Sequence, residues 1–182
     1  VAITPVPFDL VNEGQVKEGI KTIRSAKQPV DILVNNAGVI FPALFQMTPV
    51  NKMKEVFETN YFSQMLLTQS IVKIMTRQNS GSIVNISSSA AIEGNEGRTA
   101  YAASKAAMIA STKVMARELS SYNIRVNSIA PGLTDTDMMH SSTPLDAMEN
   151  TLQRLSIKRL GTTGEIANVA LFLSSDLSTY MT

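Results

Sequence analysis

Short apolar runs rich in Val and Ile alternate along this chain with longer segments in which apolar residues recur every three or four positions. The short runs predict β-strands at residues 1–8, 31–35, 82–87 and 124–129. The longer segments predict helices at residues 12–25, 50–77, 100–121 and 164–174, the last with Thr163 as its N-cap. This alternation predicts an α/β fold in which helices cover a parallel sheet.

The segment 135–158 has the least regular pattern in the chain, with one weakly amphipathic piece at 145–155. A segment of this length without strong periodicity is typical of a mobile excursion from a domain. We therefore expect residues 1–182 to form a single domain that carries a substrate lid at 135–158.

The composition excludes several classes of function. The 182 residues carry 16 Lys and Arg against 15 Asp and Glu, so the net charge of +1 does not favour nucleic acid or an anionic membrane surface. No apolar run approaches the roughly 18 residues of a membrane span, and we expect a cytoplasmic protein. The chain has no Cys and one His, His140, which excludes thiolate nucleophiles, disulfides and multi-histidine metal sites.

Tyr101 and Lys105 stand four residues apart in an alanine-rich segment that favours a helix. At that spacing both side chains lie on one helix face. An ammonium group beside a phenol stabilises the phenolate, so the pair predicts a tuned acid/base. Taken alone, the pair is also compatible with an ordinary surface Tyr and Lys.

Open α/β sheets bind ligands outside the carboxyl ends of their strands. The segments that follow three of the predicted strands are 35–38, 87–89 and 130–132, which read Asn-Asn-Ala-Gly, Ser-Ser-Ser and Ala-Pro-Gly. If the sheet is parallel, all three lie at one edge, and this edge is where we expect the chemistry.

These motifs together resemble the short-chain dehydrogenase/reductase family, and within it the 3-oxoacyl-carrier-protein reductase type. The resemblance extends from about residue 9 to residue 182 and is carried by Asn35-Asn36-Ala37-Gly38, Asn60, Ser88, Tyr101-x-x-x-Lys105, and Pro131-Gly132 followed by Thr136. It implies a Rossmann-like, doubly wound parallel sheet. It also implies hydride transfer between NADP or NAD and a carbonyl or secondary alcohol, with a 3-oxoacyl thioester as one possible substrate.

The resemblance implies four catalytic residues. Tyr101 would exchange a proton with the substrate oxygen, and Ser88, thirteen positions earlier, would orient that oxygen, while Ser87 and Ser89 would be structural. Lys105 would both stabilise the tyrosinate and bind the nicotinamide ribose. Asn60 would kink its helix and bind a water that connects Lys105 to solvent.

The resemblance also implies a set of cofactor-binding residues. Besides Tyr101 and Lys105 these are Asp9, Leu10, Asn36, Ala37, Gly38, Pro131, Gly132, Thr134 and Thr136. Asp9 would contact the adenine amino group, although a turn residue ahead of the first helix is an equally good interpretation of it.

The glycine-rich phosphate-binding turn of the family, Thr-Gly-x-x-x-Gly-x-Gly, is not found in this sequence. Relative to the family pattern, a preceding βαβ unit and the last strand are also missing, so we expect these 182 residues alone to bind dinucleotide weakly and to be inactive. A non-catalytic binding or assembly module is the alternative, and dehydration or epimerisation is a weaker one. The long helices at 50–77 and 100–121 imply a homotetramer or dimer by the same resemblance.

Overall fold

The sheet of the computed structural model, which describes residues 2–182, has three parallel strands. They are β1 (Ile32–Asn35), β2 (Gly81–Ile86) and β3 (Ile124–Ile129), in the order β1-β2-β3. Val84 lies opposite Val34 on one side and Asn127 on the other. Three of the four predicted strands are thus confirmed, and their carboxyl ends meet at one edge.

Helices occupy most of the segments between the strands. They are α1 (Glu13–Ser25), α2 (Val50–Phe57), α3 (Ser63–Gln78), α4 (Ala90–Glu93), α5 (Thr99–Leu119), α6 (Asp137–Ser142), α7 (Leu145–Arg154) and α8 (Thr163–Ser174). A π-turn at Glu58–Phe62 joins α2 to α3, so the helix predicted at 50–77 is one helical run with a local widening. The helix α7 confirms the amphipathic piece predicted at 145–155.

Helices pack on both faces of the sheet. Successive residues of a strand point to opposite faces, and β2 shows this directly. Ile83 is fully buried in a core that includes residues of α1 and α3, whereas the hydroxyl of Ser82 donates to the backbone oxygen of Leu173 in α8, at 3.1 Å. The sheet is therefore covered by α1, α3 and α5 on one face and by α8 on the other, as the alternating pattern predicts.

Two predictions of local structure are wrong. Residues 2–8 form no strand, and Val1 lies outside the described residues. Pro5 and Pro7 have no amide hydrogen to donate to a sheet, and no described strand lies beside β1 on its other side.

The N-cap of α8 is Thr162 and not Thr163. The Thr162 hydroxyl accepts from the Glu165 amide at 3.2 Å, while the Glu165 carboxylate accepts from the Thr162 amide at 2.7 Å. This capping box requires the cap to stand three residues before the glutamate. Among residues 2–182, no helix is long and apolar enough to cross a membrane.

Candidate active site

The carboxyl edge of the sheet brings together the segments that follow the three strands. The Ser87 amide donates to the backbone oxygen of Ile129 at 2.7 Å, and the Ser89 amide donates to that of Pro131 at 2.8 Å. These bonds extend the β2–β3 pairing beyond the strands. They place the serine segment directly against the Pro131 turn, as the parallel sheet predicts.

Tyr101 and Lys105 lie on one face of α5, where the Lys105 ammonium stands 5.9 Å from the centre of the Tyr101 ring. Lys105 is only 3% exposed, and its Nζ donates to the backbone oxygen of Ile86 at 2.7 Å. Burial lowers the pKa of Lys105 to about 8. The helix therefore holds a lysine near the point of titration beside a half-buried tyrosine, which is the arrangement of a proton-transfer pair.

The three adjacent serines have different surroundings. Ser87 is buried, and its hydroxyl donates to the backbone oxygen of Lys105 at 2.8 Å. Ser89 lies ahead of α4, with its amide bound to the Pro131 turn. The half-buried Ser88 accepts from the Ala90 amide at 3.2 Å. Because the Ser88 hydroxyl accepts this bond, its hydrogen remains available for another partner. The hydroxyl hydrogen of Ser87 is already donated to the backbone oxygen of Lys105.

Asn60 lies in the π-turn and is completely buried. Its side-chain NH₂ donates to the backbone oxygen of Val39 at 2.9 Å and to the Ser104 hydroxyl at 3.1 Å. Its side-chain oxygen accepts from the Val39 amide at 2.7 Å. The predicted distortion of the helix at Asn60 is thus present. The water-binding role stays a prediction, since all three of these side-chain bonds go to protein atoms.

Buried amides fix the turn after β1. The Asn35 side chain donates to the Thr68 hydroxyl and to the Asn85 side-chain oxygen, each at 2.8 Å, and Asn85 in turn donates to the Thr112 hydroxyl at 2.8 Å. This chain of bonds spans from α3 across β1 and β2 to α5. It holds the strand ends at a constant spacing.

The turn after β1 comes close to Asn60 and to Lys105 of α5 at Gly38. A Cβ atom at this position would lie 3.4 Å from the Asn60 side-chain oxygen and 3.5 Å from the Lys105 Nζ. A Cβ atom at position 38 would thus be in van der Waals contact with both groups and would occupy space that the glycine leaves open beside them. Asn36 and Ala37, which precede it, are exposed beside the site.

Asp9 and Leu10 lie in the turn just before α1. The Asp9 carboxylate accepts from the Val11 amide at 3.0 Å, and its backbone oxygen accepts from the Asn12 amide at 3.0 Å. Leu10 is partly buried against the core. The structure thus shows the turn role that was one of the two interpretations of Asp9. The adenine contact stays a prediction.

The turn after β3 places Gly132 at the surface, followed by two threonines with local structural contacts. Thr134 pairs with Gly161 in a single parallel bridge, and its hydroxyl donates to the Gly132 backbone oxygen at 3.1 Å. The Thr136 hydroxyl caps α6 by accepting from the Met139 amide at 3.2 Å. Both side chains therefore shape the turn, and their cofactor contacts stay predictions.

Sequence analysis missed two buried polar residues of this site, Ser104 and Gln64. Ser104 is fully buried, and its hydroxyl donates to the backbone oxygen of Tyr101 at 2.7 Å while accepting from Asn60. Gln64 is 1% exposed and binds the carbonyls around Asn60 and Ala37. The sequence did carry a signal for both residues. Gln64 follows Asn60 by four positions and Ser104 directly precedes Lys105, and each is a polar residue on an otherwise core-facing side of its helix.

Comparisons with known proteins identify the family of this chain. Residues 1–182 match the family described as enoyl-(acyl carrier protein) reductase. The 3-oxoacyl-[acyl-carrier-protein] reductase of Thermotoga maritima is 40% identical over 180 residues, which cover 99% of this chain and 73% of that protein. The enzyme of the same name from Chlamydia pneumoniae is 39% identical over 175 residues, covering 96% of this chain and 70% of that one.

Solved structures show the same likeness. An inferred gluconate dehydrogenase from Agrobacterium tumefaciens superposes with a TM-score of 0.92 at 30% identity, covering 96% of this chain and 70% of the other. An NAD⁺-bound xylitol dehydrogenase gives a TM-score of 0.87 at 28% identity, with coverages of 96% and 73%. Together with the sequence match over residues 1–182, they show that the chain belongs to the short-chain dehydrogenase/reductase family, of the 3-oxoacyl-carrier-protein reductase type.

Proposed function

We propose that the protein is an NAD(P)-dependent oxidoreductase that transfers hydride between a nicotinamide and a carbonyl or secondary alcohol substrate. The observation that carries this proposal is the Tyr101–Lys105 pair on one face of α5, with the lysine buried at the carboxyl edge of the sheet. The relatives that this chain matches are reductases and dehydrogenases by name. The cofactor is NAD or NADP.

The residues present fit a dinucleotide at this edge. Gly38 leaves room beside the Lys105 ammonium that a Cβ atom would reduce. Lys105 has three N–H donors, of which one binds Ile86 in the described structure, so two can bind ribose hydroxyls. Asn36, Ala37, Pro131, Gly132, Thr134 and Thr136 line the adjoining turns and would hold the rest. The bound cofactor supplies the hydride donor or acceptor.

The protein's own residues supply the proton chemistry. Tyr101 donates its phenolic proton to the carbonyl oxygen during reduction and removes a proton from the hydroxyl during oxidation. The Lys105 charge stabilises the tyrosinate that reduction leaves behind. Ser88 donates its hydroxyl hydrogen to the substrate oxygen and shares the negative charge that develops there. Asn60 holds the π-turn beside these groups and binds the water through which protons return.

We propose that residues 1–182 form one domain in which the segment 135–158, with α6 and α7, covers the substrate as a lid.

A 3-oxoacyl thioester is the substrate that the names of the curated relatives support. A nicotinamide absorbance assay identifies the substrate, run on a chain that also carries the family's phosphate-binding turn, with both cofactors and a panel of 3-oxoacyl thioesters, ketones and secondary alcohols. Product analysis in the same assay distinguishes hydride transfer from dehydration or epimerisation.

Replacement of Tyr101 by Phe tests the proposed function. The variant is made in a chain that also carries the family's phosphate-binding turn. Loss of the phenolic hydroxyl removes the proton donor, so we expect kcat to fall by about 10²- to 10⁴-fold while the Kd of the nucleotide changes little. The matched control is Tyr61→Phe, which removes another phenolic hydroxyl, one that binds Ser111 at 2.8 Å. Unchanged turnover in Tyr101→Phe would refute the assignment.

We propose a homotetramer or dimer as the assembled form. Exposed apolar side chains on α5 and at α4 support it, among them Val114, which is 53% exposed, and Ile92, which is 71% exposed. Light scattering at micromolar concentration tests the oligomeric state, and a monomer would contradict the proposal.

We also propose that the protein is cytoplasmic, and cell fractionation tests this location. Calorimetry on the 182-residue polypeptide tests the expectation of weak dinucleotide binding.

A further inference from the structure

Gln64 is a buried glutamine in the first turns of α3, and it binds two separate parts of the candidate active site. Its side-chain NH₂ donates to the backbone oxygen of Ala37 at 2.8 Å and to that of Asn60 at 2.8 Å, with a longer contact of 3.3 Å to Thr59. Ala37 belongs to the turn after β1, whereas Asn60 belongs to the π-turn. One amide therefore connects the π-turn to Ala37, which lies 27 residues before Gln64 in the chain.

The Gln64 amide is buried at a cost. The residue is 1% exposed, and its side-chain oxygen has no hydrogen-bond partner among the residues that the structure describes. A buried amide oxygen without a partner is unfavourable, and an apolar side chain of the same size would avoid that cost. The three carbonyl oxygens around the NH₂ group determine which way the amide points. The benefit of Gln64 thus lies in its two donated bonds.

Both bonds end next to the groups proposed for chemistry. Ala37 is followed by Gly38, where a Cβ atom would lie 3.4 Å from the Asn60 side-chain oxygen and 3.5 Å from the Lys105 Nζ. Asn60 in turn binds the backbone of Val39 through both atoms of its amide. A shift of the Ala37 turn relative to the π-turn would therefore change the space around the Lys105 ammonium.

We propose that Gln64 is a positioning residue of this site, whose amide ties the Ala37–Gly38 turn to the π-turn at Asn60 and thereby sets the surroundings of Lys105. Its meaning for catalysis rests on the proposed function. The structural part of the proposal, that Gln64 controls the environment of the lysine, does not depend on any activity.

Replacement of Gln64 by Met tests the two bonds with little change of volume. We expect the turn to loosen and water to reach Lys105, so that its pKa rises from about 8 toward the ordinary value of 10.5. A ¹³C NMR titration of the lysine ε-methylene groups, assigned through Lys105→Met, measures this directly. The matched control is Gln69→Met on the same helix, because Gln69 is exposed, and we expect it to leave the titration unchanged.

Replacement of Gln64 by Glu adds a pH signature. A protonated glutamic acid can still donate one bond to a carbonyl oxygen, whereas the carboxylate can donate none and would repel both carbonyls. Burial raises the pKa of such a carboxyl group. We therefore expect Gln64→Glu to bind nucleotide nearly as well as wild type at low pH, and at least tenfold more weakly above the pKa of the new carboxyl group. Urea unfolding at each pH confirms that the variant is folded where binding is measured.

The outcomes separate this proposal from the proposed function. A Lys105 titration that is the same in wild type and Gln64→Met, together with a pH-independent Gln64→Glu, overturns the positioning role whatever the stability of either variant. A Lys105 titration that differs between wild type and Gln64→Met supports the positioning role. It does so even where the wild-type protein reduces no carbonyl and binds no nucleotide, a result that overturns the proposed function alone. If Gln64→Met does not fold, the pH dependence of nucleotide binding by Gln64→Glu decides the proposal. Binding that weakens above the pKa of the new carboxyl group supports the positioning role, and binding that follows wild type at every pH overturns it.

Discussion

Replacement of Lys105 by Met should make the protein more stable and catalytically inactive. The ammonium of Lys105 is buried without a carboxylate partner among the described residues, and it binds only the backbone oxygen of Ile86. A buried charge of this kind destabilises the folded state, whereas a Met side chain of similar length does not. The position would thus be retained for chemistry and not for stability.

The lowered pKa of Lys105 sets the magnitude and the pH range. The pKa is about 8 in the folded protein against an ordinary value of 10.5, and a difference of about 2.5 corresponds to about 3 kcal/mol of unfolding free energy. Between these two values the unfolded chain binds more protons than the folded one, so stability rises with pH across that window. The full cost is present below about pH 8. Loss of the bond to Ile86 offsets about 1 kcal/mol of the gain in the variant.

Urea unfolding at two pH values measures this effect. We expect Lys105→Met to exceed wild type by about 2 kcal/mol at pH 6.5 and by about zero at pH 9.5, because wild type recovers about 2 kcal/mol over that interval. Lys113→Met is the control, since Lys113 is exposed on the same helix, and its stability should follow wild type at both pH values. A Lys105→Met variant that is no more stable than wild type at pH 6.5, with the same dependence on pH, would refute this account of the buried charge.

Two further predictions concern stability away from the site. Ile83 is fully buried in the central strand, so Ile83→Ala should lower the unfolding free energy by about 2 to 5 kcal/mol. The control Ile3→Ala, at a side chain that is 89% exposed, should change it by less than about 0.5 kcal/mol in the same urea titration. The pKa of Glu165 is lowered to about 2, first by its hydrogen bond with Arg159 and then by that with Thr162. The contribution of the Glu165 carboxylate to stability is therefore present above about pH 4.5 and is lost as pH falls toward 2. In thermal unfolding, Glu165→Gln should have a lower Tm than wild type at pH 7, and the difference in Tm should shrink on acidification. An equal difference at pH 7 and pH 2.5 would contradict the charge as its cause.

The sheet was predictable because its strands are short runs rich in Val and Ile between segments of helical period, and the runs at 31–35, 82–87 and 124–129 match β1, β2 and β3 to within one residue at each end. Burial differs among these strands, since β2 is buried at four consecutive positions whereas β1 exposes Ile32 and Val34. The run at 1–8 has a similar composition but forms no strand over residues 2–8. Pairing depends on a neighbouring strand, and the pattern of a single segment carries no information about its neighbour.

The candidate site was predictable where its parts are close in sequence. The Tyr101–Lys105 spacing follows from helix geometry alone, and the helix does place both side chains together. The contacts of Gln64 with Ala37 and of Asn60 with Ser104 join residues 27 and 44 positions apart. The π-turn that contains Asn60 also interrupts the 3.6-residue period of the α-helix. Such contacts depend on how the helices dock, which local patterns do not specify.

Three groups that are unfavourable to bury lie near the carboxyl edge of the sheet. Lys105 holds a buried charge, and Gln64 and Asn35 each bury an amide oxygen without a partner among the described residues, while the one other such side-chain atom, the Ser142 Oγ, lies in α6. A fold selected for stability alone would place apolar side chains at these positions, while functional sites commonly retain such groups. The two substitutions argued above should then separate stability from function. Lys105→Met gains stability and loses activity, whereas Gln64→Met loses two buried bonds and alters Lys105 without removing it. If stability and activity instead rose together or fell together in each variant, these polar groups would contribute to packing and not to a functional site.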